Sequence, residues 1–324
     1  MSRIYEALQK AESERKLEQR DPETRVPEEQ PSGVGISAAT AVAEPHEPIY
    51  EAQPFGGPQI HTEPYAEPSA HRSGGESLDL SKIPTRPWMP SMEQLPSLLE
   101  RGPAVEQFRS LRSRIFELRD ISPLKTILIS SGLPQEGKSF VSTNLALSLA
   151  RHKNSKVLLI DGDMRRYTLH QILGCEAHPG LADYLAGKAT LLEVMQRPEM
   201  PQTAIKGVAQ VLPNLTFIAG GNGGDKAADL SGSPRFGELI RQAAPYFDWI
   251  VVDSSPVLPV SDAVNLARSC DGVLLVARGG VTKFPVAQRA QSELKASNIL
   301  GFVLNAVQDT PEVGGYYGYD ANKL

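Results

Sequence analysis

Apolar residues fall into two rhythms from about residue 104 onward. Short continuous apolar runs recur at 126–130, 156–160, 214–219, 249–253, 272–277 and 299–304. Each has the length of a buried strand. Between most of them apolar residues return every three to four positions, at 138–151, 233–244, 262–269 and 285–297, which predicts helices. Another helix is predicted over Ala104–Arg119, with Phe108, Leu111, Ile115 and Leu118 on one face. Strand-sized runs alternating with helices predict an α/β fold: a parallel sheet with helices on both faces. Upstream the rhythm is lost. Of the 26 prolines, 13 fall within residues 21–100, among many Glu, Ala, Ser and Gly. Such a stretch cannot bury a core and is expected to be a disordered linker. Four regions follow: a short helix within 1–20, a linker over 21–100, one domain over 101–310 and a flexible tail over 311–324.

Composition narrows this picture. The formal net charge is −5, which gives no electrostatic reason to expect nucleic-acid binding. Cys175 and Cys270 have neither metal-binding nor redox spacing and read as buried thiols in a reducing compartment. The longest apolar runs are far short of a membrane span, and the N-terminus is too polar for a signal peptide, so a cytoplasmic location is expected. The N-terminal stretch 2–19 has Ser2 as a plausible N-cap and a thin stripe of Ile4, Ala7, Leu8 and Ala11. It reads either as a solvated helix or as a docking helix tethered by the linker.

The chemistry centres on Gly132-Leu133-Pro134-Gln135-Glu136-Gly137-Lys138-Ser139. This G-x-x-x-x-G-K-S spacing follows one apolar run and opens a helical pattern, as a phosphate-binding loop requires. The glycines let backbone N–H groups turn toward phosphate oxygens, and the helix start adds a positive dipole. Lys138 is expected to reach the terminal phosphates and the Ser139 hydroxyl to ligate Mg²⁺. The fold class is therefore of the P-loop NTPase type.

Two later runs end in carboxylates. Leu158-Leu159-Ile160 leads into Asp161-Gly162-Asp163-Met164-Arg165, and Ile250-Val251-Val252 leads into Asp253. At the C-terminal ends of parallel strands these groups can face a metal ion and an attacking nucleophile. Asp161 is a candidate base and Asp163 a candidate member of the metal shell, or the reverse. Asp253 reads as a second metal-shell carboxylate, and Arg165 as a group that neutralises charge on a transferring phosphoryl group.

The runs Gly132–Ser139, Leu158–Arg165 and Ile250–Pro256 resemble the A, A′ and B Walker motifs of bacterial tyrosine kinases (BY-kinases) of polysaccharide export. The flanking Ser130-Ser131, Asn144-Leu145-Ala146 and Gly301–Asn305 are also similar. Tyr316, Tyr317 and Tyr319, set among glycines, match the family's autophosphorylated tail. Glu106-x-x-Arg109-x-x-Arg112 resembles its oligomerisation motif. Met1–Leu8 looks like the subgroup associated with exosortase-type exopolysaccharide loci. The resemblance implies ATP and Mg²⁺ as cofactors and phosphorylation of tail tyrosines between subunits of a ring. It also implies activation by the cytoplasmic segment of a membrane-embedded co-polymerase, which would hold the chain at the inner face of the membrane, and reversal by a phosphotyrosine phosphatase. Three positions depart from the pattern: Phe140 after the loop serine, Ser254-Ser255 after Asp253, and a tail of only three tyrosines.

Other residues keep two readings. Glu106, Arg109 and Arg112 form either a solvated helix flank or a subunit contact. The tail tyrosines are either acceptors or part of a solvated tail. Each phosphate would add roughly −1.5 to −2 charges, so a phosphorylated tail is expected to leave the site and loosen the ring. Asp262 is expected to cap the helix that follows it. Arg278 faces nucleotide, a subunit boundary or solvent. Phe140 is grouped with the nucleotide-binding residues, and so is Asn305, as a base contact. His152, His170 and His178 show no ligand spacing. Two other functions compete: a ParA/MinD-like switch ATPase, whose signature early Lys is missing from Ser131–Pro134, and a non-catalytic nucleotide-binding regulator.

Overall fold

The structure, a computed structural model, describes residues 78–152, 155–199 and 212–307. The predicted N-terminal helix, residues 21–77 of the predicted linker, and Tyr316, Tyr317 and Tyr319 lie outside them.

In chain order the regular elements are β1 (Thr85–Pro87), α1 (Pro103–Ile121), β2 (Thr126–Ser131), α2 (Lys138–Ala150), β3 (Val157–Asp161), α3 (Leu169–Leu173), α4 (Leu181–Leu185), α5 (Leu191–Val194), β4 (Met195–Glu199), β5 (Leu215–Ile218), α6 (Ala227–Ser231), α7 (Pro234–Ala243), β6 (Trp249–Asp253), α8 (Asp262–Ala267), β7 (Gly272–Arg278), α9 (Phe284–Glu293) and β8 (Ile299–Asn305). Short 3₁₀ turns cover Leu80–Lys82 and Pro96–Leu98. The strands form one sheet in the order β1-β4-β5-β3-β6-β2-β7-β8. The six strands from β5 to β8 are mutually parallel; β4 is antiparallel to β5 and parallel to β1.

Alternation along the strands explains the two helical layers. Leu128, Leu158, Ile160, Ile250 and Val252 face one layer, where α7 contributes Phe236 and Leu239 and α8 contributes Leu266. Ile127, Ile129, Leu159, Phe217 and Val251 face the other, where α2 contributes Leu145 and Leu149 and α1 contributes Ile115. Helix α2 is buried at every position from Val141 to Ala150, because it lies between the sheet and α1. Its sequence is accordingly apolar or small nearly all round rather than amphipathic.

The linker boundary needs correction. Residues 78–100 are folded: Ile83, Trp88, Leu95 and Leu98 are all buried, and β1 pairs with β4. Leu78 N–H donates to the Tyr246 hydroxyl at 2.7 Å, and Trp88 meets the Phe217 ring edge-on. Single anchors separated by turns carry this packing, so no period betrays it. Cys175 and Cys270 are half-buried rather than buried. Burial still pushes the Cys175 thiol up to about 12. Among the described residues no helix is long and apolar enough to cross a membrane.

Candidate functional site

Three strand ends meet at one rim of the sheet. Strand β2 ends at Ser131, passes through 132–137 and returns as α2 at Lys138. Strands β3 and β6 end at Asp161 and Asp253, which are paired in register. Parallel strands point these ends the same way, which gathers the loop and the carboxylates.

Two glycines set the close contacts. Gly137 has φ +91, and a Cβ there would lie 1.9 Å from Asn305 Nδ2. Its absence lets Asn305 donate to the Glu136 carbonyl at 3.0 Å. One N–H of the Asn305 amide is therefore engaged by the loop backbone. At Gly162 a Cβ would lie 2.6 Å from the Asp253 carbonyl oxygen, to which Gly162 N–H donates at 2.9 Å. A glycine between Asp161 and Asp163 is what lets β3 end against β6.

Lys138 Nζ lies 3.0 Å from Asp163 Oδ2. Burial works against the ammonium, but the Asp253 and Asp163 charges outweigh it and hold the group above the ordinary lysine value. Ser139 Oγ donates to Asp253 Oδ2 at 2.7 Å. Asp161 and Asp253 are both 0% exposed. Burial, reinforced by Asp253, raises Asp161 well above the usual carboxylate range; its oxygens accept N–H bonds from Asp163 (3.2 Å) and Leu169 (3.1 Å). Burial also raises Asp253, with Lys138 and Ser139 opposing it. Asp253 Oδ1 is buried and unpartnered among the described residues. An orphaned carboxylate oxygen beside a serine hydroxyl is chemistry suited to a hard divalent cation and its water, so Ser139 and Asp253 fit Mg²⁺. Asp163 stands close by, bound to Lys138.

Leu133, Pro134 and Gln135 are exposed along the loop, while Glu136 is buried. The Phe140 ring packs on Phe108, 5.7 Å between centroids, so it faces α1 and leaves only its backbone for nucleotide. Arg165 makes a two-point contact with Asp262, Nε to Oδ2 at 2.7 Å and Nη2 to Oδ1 at 3.4 Å. Asp262 therefore does not cap its helix as expected. It is the first residue of α8, after Ser261, and its buried carboxylate anchors the arginine. The Pro-Val-Ser-Asp context concealed this, because a cap and an ion-pair partner look alike in sequence. Arg278 is exposed at the end of β7. The His152 ring meets that of Phe116 at a tilt, 4.8 Å between centroids, and His178 Nδ1 lies 3.6 Å from Asp183.

The three α1 residues do not behave alike. Arg109 contacts Glu106 and donates to the Glu100 carbonyl at 3.0 Å. Arg112 turns inward and donates to the Ser148 carbonyl at 2.7 Å, satisfying the C-terminal end of α2.

No protein-family model matches the chain. It is 30% identical over 220 residues to tyrosine-protein kinase YwqD of Bacillus subtilis, covering 67% of this chain and 87% of YwqD. It is 31% identical over 207 residues to tyrosine-protein kinase ptk of Acinetobacter johnsonii, covering 63% of this chain and 26% of ptk. The chain thus spans under a third of the length of several curated relatives it matches. Among solved structures, the kinase domain of Escherichia coli tyrosine kinase ETK superposes with a TM-score of 0.56 at 31% identity, covering 67% of this chain and 80% of that one.

Proposed function

Since the chain belongs to the bacterial tyrosine kinase family, we propose that it is a cytoplasmic protein-tyrosine autokinase that transfers the ATP γ-phosphoryl group to Tyr316, Tyr317 and Tyr319. One observation carries this reading: Lys138 and Ser139, at the start of α2, touch Asp163 and Asp253 respectively. A cation and a hydroxyl from the phosphate loop thus meet two strand-end carboxylates in one buried place.

The backbone of Gly132–Ser139 cradles the phosphates and Lys138 exchanges Asp163 for their oxygens. Ser139 and Asp253 hold the metal side. Mg²⁺ bound there would supply positive charge to the transferring phosphoryl group. The tyrosine oxygen forms a bond to the γ-phosphorus as the bond to the bridging oxygen breaks, and ADP leaves. The tyrosine proton passes to a carboxylate. Asp161 is occupied on both oxygens, by the N–H of Asp163 and by that of Leu169 at the start of α3. Asp163 keeps the Arg166 N–H on Oδ1, but its Oδ2 is released when Lys138 turns to phosphate, so Asp163 takes the proton there and Asp161 shapes the loop. Arg165, fixed by Asp262, neutralises charge on the acceptor side. The reading includes a ring of subunits in contact through Glu106 and Arg109, with Arg112 bracing α2. It also includes a membrane-embedded polysaccharide co-polymerase as activator and a phosphatase that resets the tail.

Intact-mass spectrometry after incubation with ATP and Mg²⁺ tests the activity. The wild type gains phosphate, while Lys138→Met and the Tyr316/Tyr317/Tyr319→Phe variant gain none. ATP hydrolysis without any protein-bound phosphate would contradict the kinase reading.

A further inference from the structure

A glutamate inside a phosphate loop needs a physical reason, because its charge opposes that of the ligand. Glu136 stands two positions before Lys138, yet its side chain is buried at 4% exposure. Burial of a carboxylate is tolerable only where donors satisfy it. Here Oε2 accepts the N–H of Leu133 at 2.8 Å and Oε1 accepts the hydroxyl of Thr282. The Thr282 oxygen also accepts the N–H of Arg278 at 2.8 Å. That leaves its single proton for Glu136. The chain of bonds runs from Arg278 N–H through Thr282 and Glu136 to Leu133 N–H. It ties the loop between β7 and α9 to the phosphate loop. It also closes the phosphate loop across residues 133–136, where Gln135 is held in the left-handed region at φ +66.

We infer that Glu136 and Thr282 form a latch that positions the phosphate loop for nucleotide. Both are positioning residues: the Glu136 carboxylate is turned to the β7–α9 loop, and Thr282 belongs to that loop. The inference deepens the kinase reading and rests on it for the identity of the ligand. Without the Thr282 hydroxyl, Glu136 is left buried with an unsatisfied oxygen and the loop relaxes into other shapes. Apparent phosphate affinity then falls with the fraction of loops in the competent shape. The effect belongs to binding, so it raises KM for ATP and leaves kcat nearly unchanged.

The full chain is titrated with N-methylanthraniloyl-ADP and Mg²⁺ as wild type, Glu136→Ala, Thr282→Val, Thr282→Ser and the Glu136→Ala/Thr282→Val double variant. Initial rates with ATP are split into kcat and KM. Glu136→Ala and Thr282→Val each weaken binding by about tenfold and raise KM, with kcat within about twofold. Thr282→Ser keeps the hydroxyl and binds within about twofold of wild type. The double variant binds no more weakly than the weaker single, because the two residues act as one unit. Wild-type affinity in Thr282→Val, or losses that multiply in the double variant, would overturn the latch while leaving the nucleotide site standing. A wild type that binds no probe would overturn the nucleotide site and the latch together.

Discussion

Asp161 and Asp253 sit side by side in register, both buried and both raised, with Lys138 the cation among them. A carboxylate whose folded pKa is raised binds its proton more tightly in the fold than in the unfolded chain. Folding stability therefore declines as pH rises from the ordinary carboxylate value toward the raised one. Lys138 acts with the opposite sign. Its own pKa is raised, so its contribution is complete below the ordinary lysine value and is lost only as pH climbs through the folded value. Between pH 5 and 8 it remains charged and lowers the cost of ionising its neighbours. Replacing Lys138 with Met removes that compensation and raises Asp161 and Asp253 further. The difference in melting temperature between wild type and Lys138→Met, without nucleotide, is therefore larger at pH 8 than at pH 5. A difference that stays constant across this range would show that the three charges are not coupled.

At the scale of elements, the segment before α1 decides where the folded body begins. Trp88, Leu95 and Leu98 are buried, and β1 extends the sheet beyond β4. Fully burying one large apolar side chain contributes about 1.5–3 kcal/mol. Three such anchors rival much of a domain's net stability of about 5–15 kcal/mol. Deleting residues 1–77 leaves all these contacts and should preserve the urea midpoint to within about 0.3 M, whereas deleting 1–100 should lower it by about 2 M or more. Equal midpoints would mean the segment is decorative. The six parallel strands were legible as strand-length apolar runs and the main helices from apolar residues recurring every three to four positions. Strand β4 was not, since Met195-Gln-Arg-Pro-Glu has the polarity and proline of a loop and becomes a strand only through its neighbours. The loop motif and the strand-end aspartates were legible for a related reason: their chemistry needs fixed local spacing. The partnership of Arg165 with Asp262, 97 residues apart, has no local spacing to read. The inward turn of Arg112 is equally invisible, because facing α2 and facing solvent require the same sequence.

At the scale of the whole molecule, the proposed kinase reading allows a tail to serve its own chain's site or a neighbour's. Strand β8 ends at Asn305, whose amide is bonded to the phosphate loop of the same chain. Tyr316 follows Val307 by nine residues, a reach of about 30 Å at full extension. Val307 thus lies two residues beyond a contact with the phosphate loop of its own chain, and on the proposed reading reach alone does not forbid transfer within one chain. Position argues otherwise. On the proposed kinase reading, transfer needs the tyrosine oxygen in line with the bond being broken and near Asp163 and Arg165. Strand β8 stands at the sheet edge, with β7, β2 and β6 between it and β3, whose exit carries Asp163 and Arg165, and this separation favours an acceptor from another chain. In the proposed ring a neighbour's tail would be supplied at an effective concentration set by the assembly. Mixing Lys138→Met, which has a tail and no competent site, with Tyr316/Tyr317/Tyr319→Phe, which has a site and no acceptors, separates the two routes. Transfer between subunits places phosphate on the Lys138→Met chain, identified by its own intact mass, at a rate that rises with the concentration of the Phe variant. A Lys138→Met chain that stays unmodified, while wild type alone is phosphorylated, would mean that each tail serves the site it starts from.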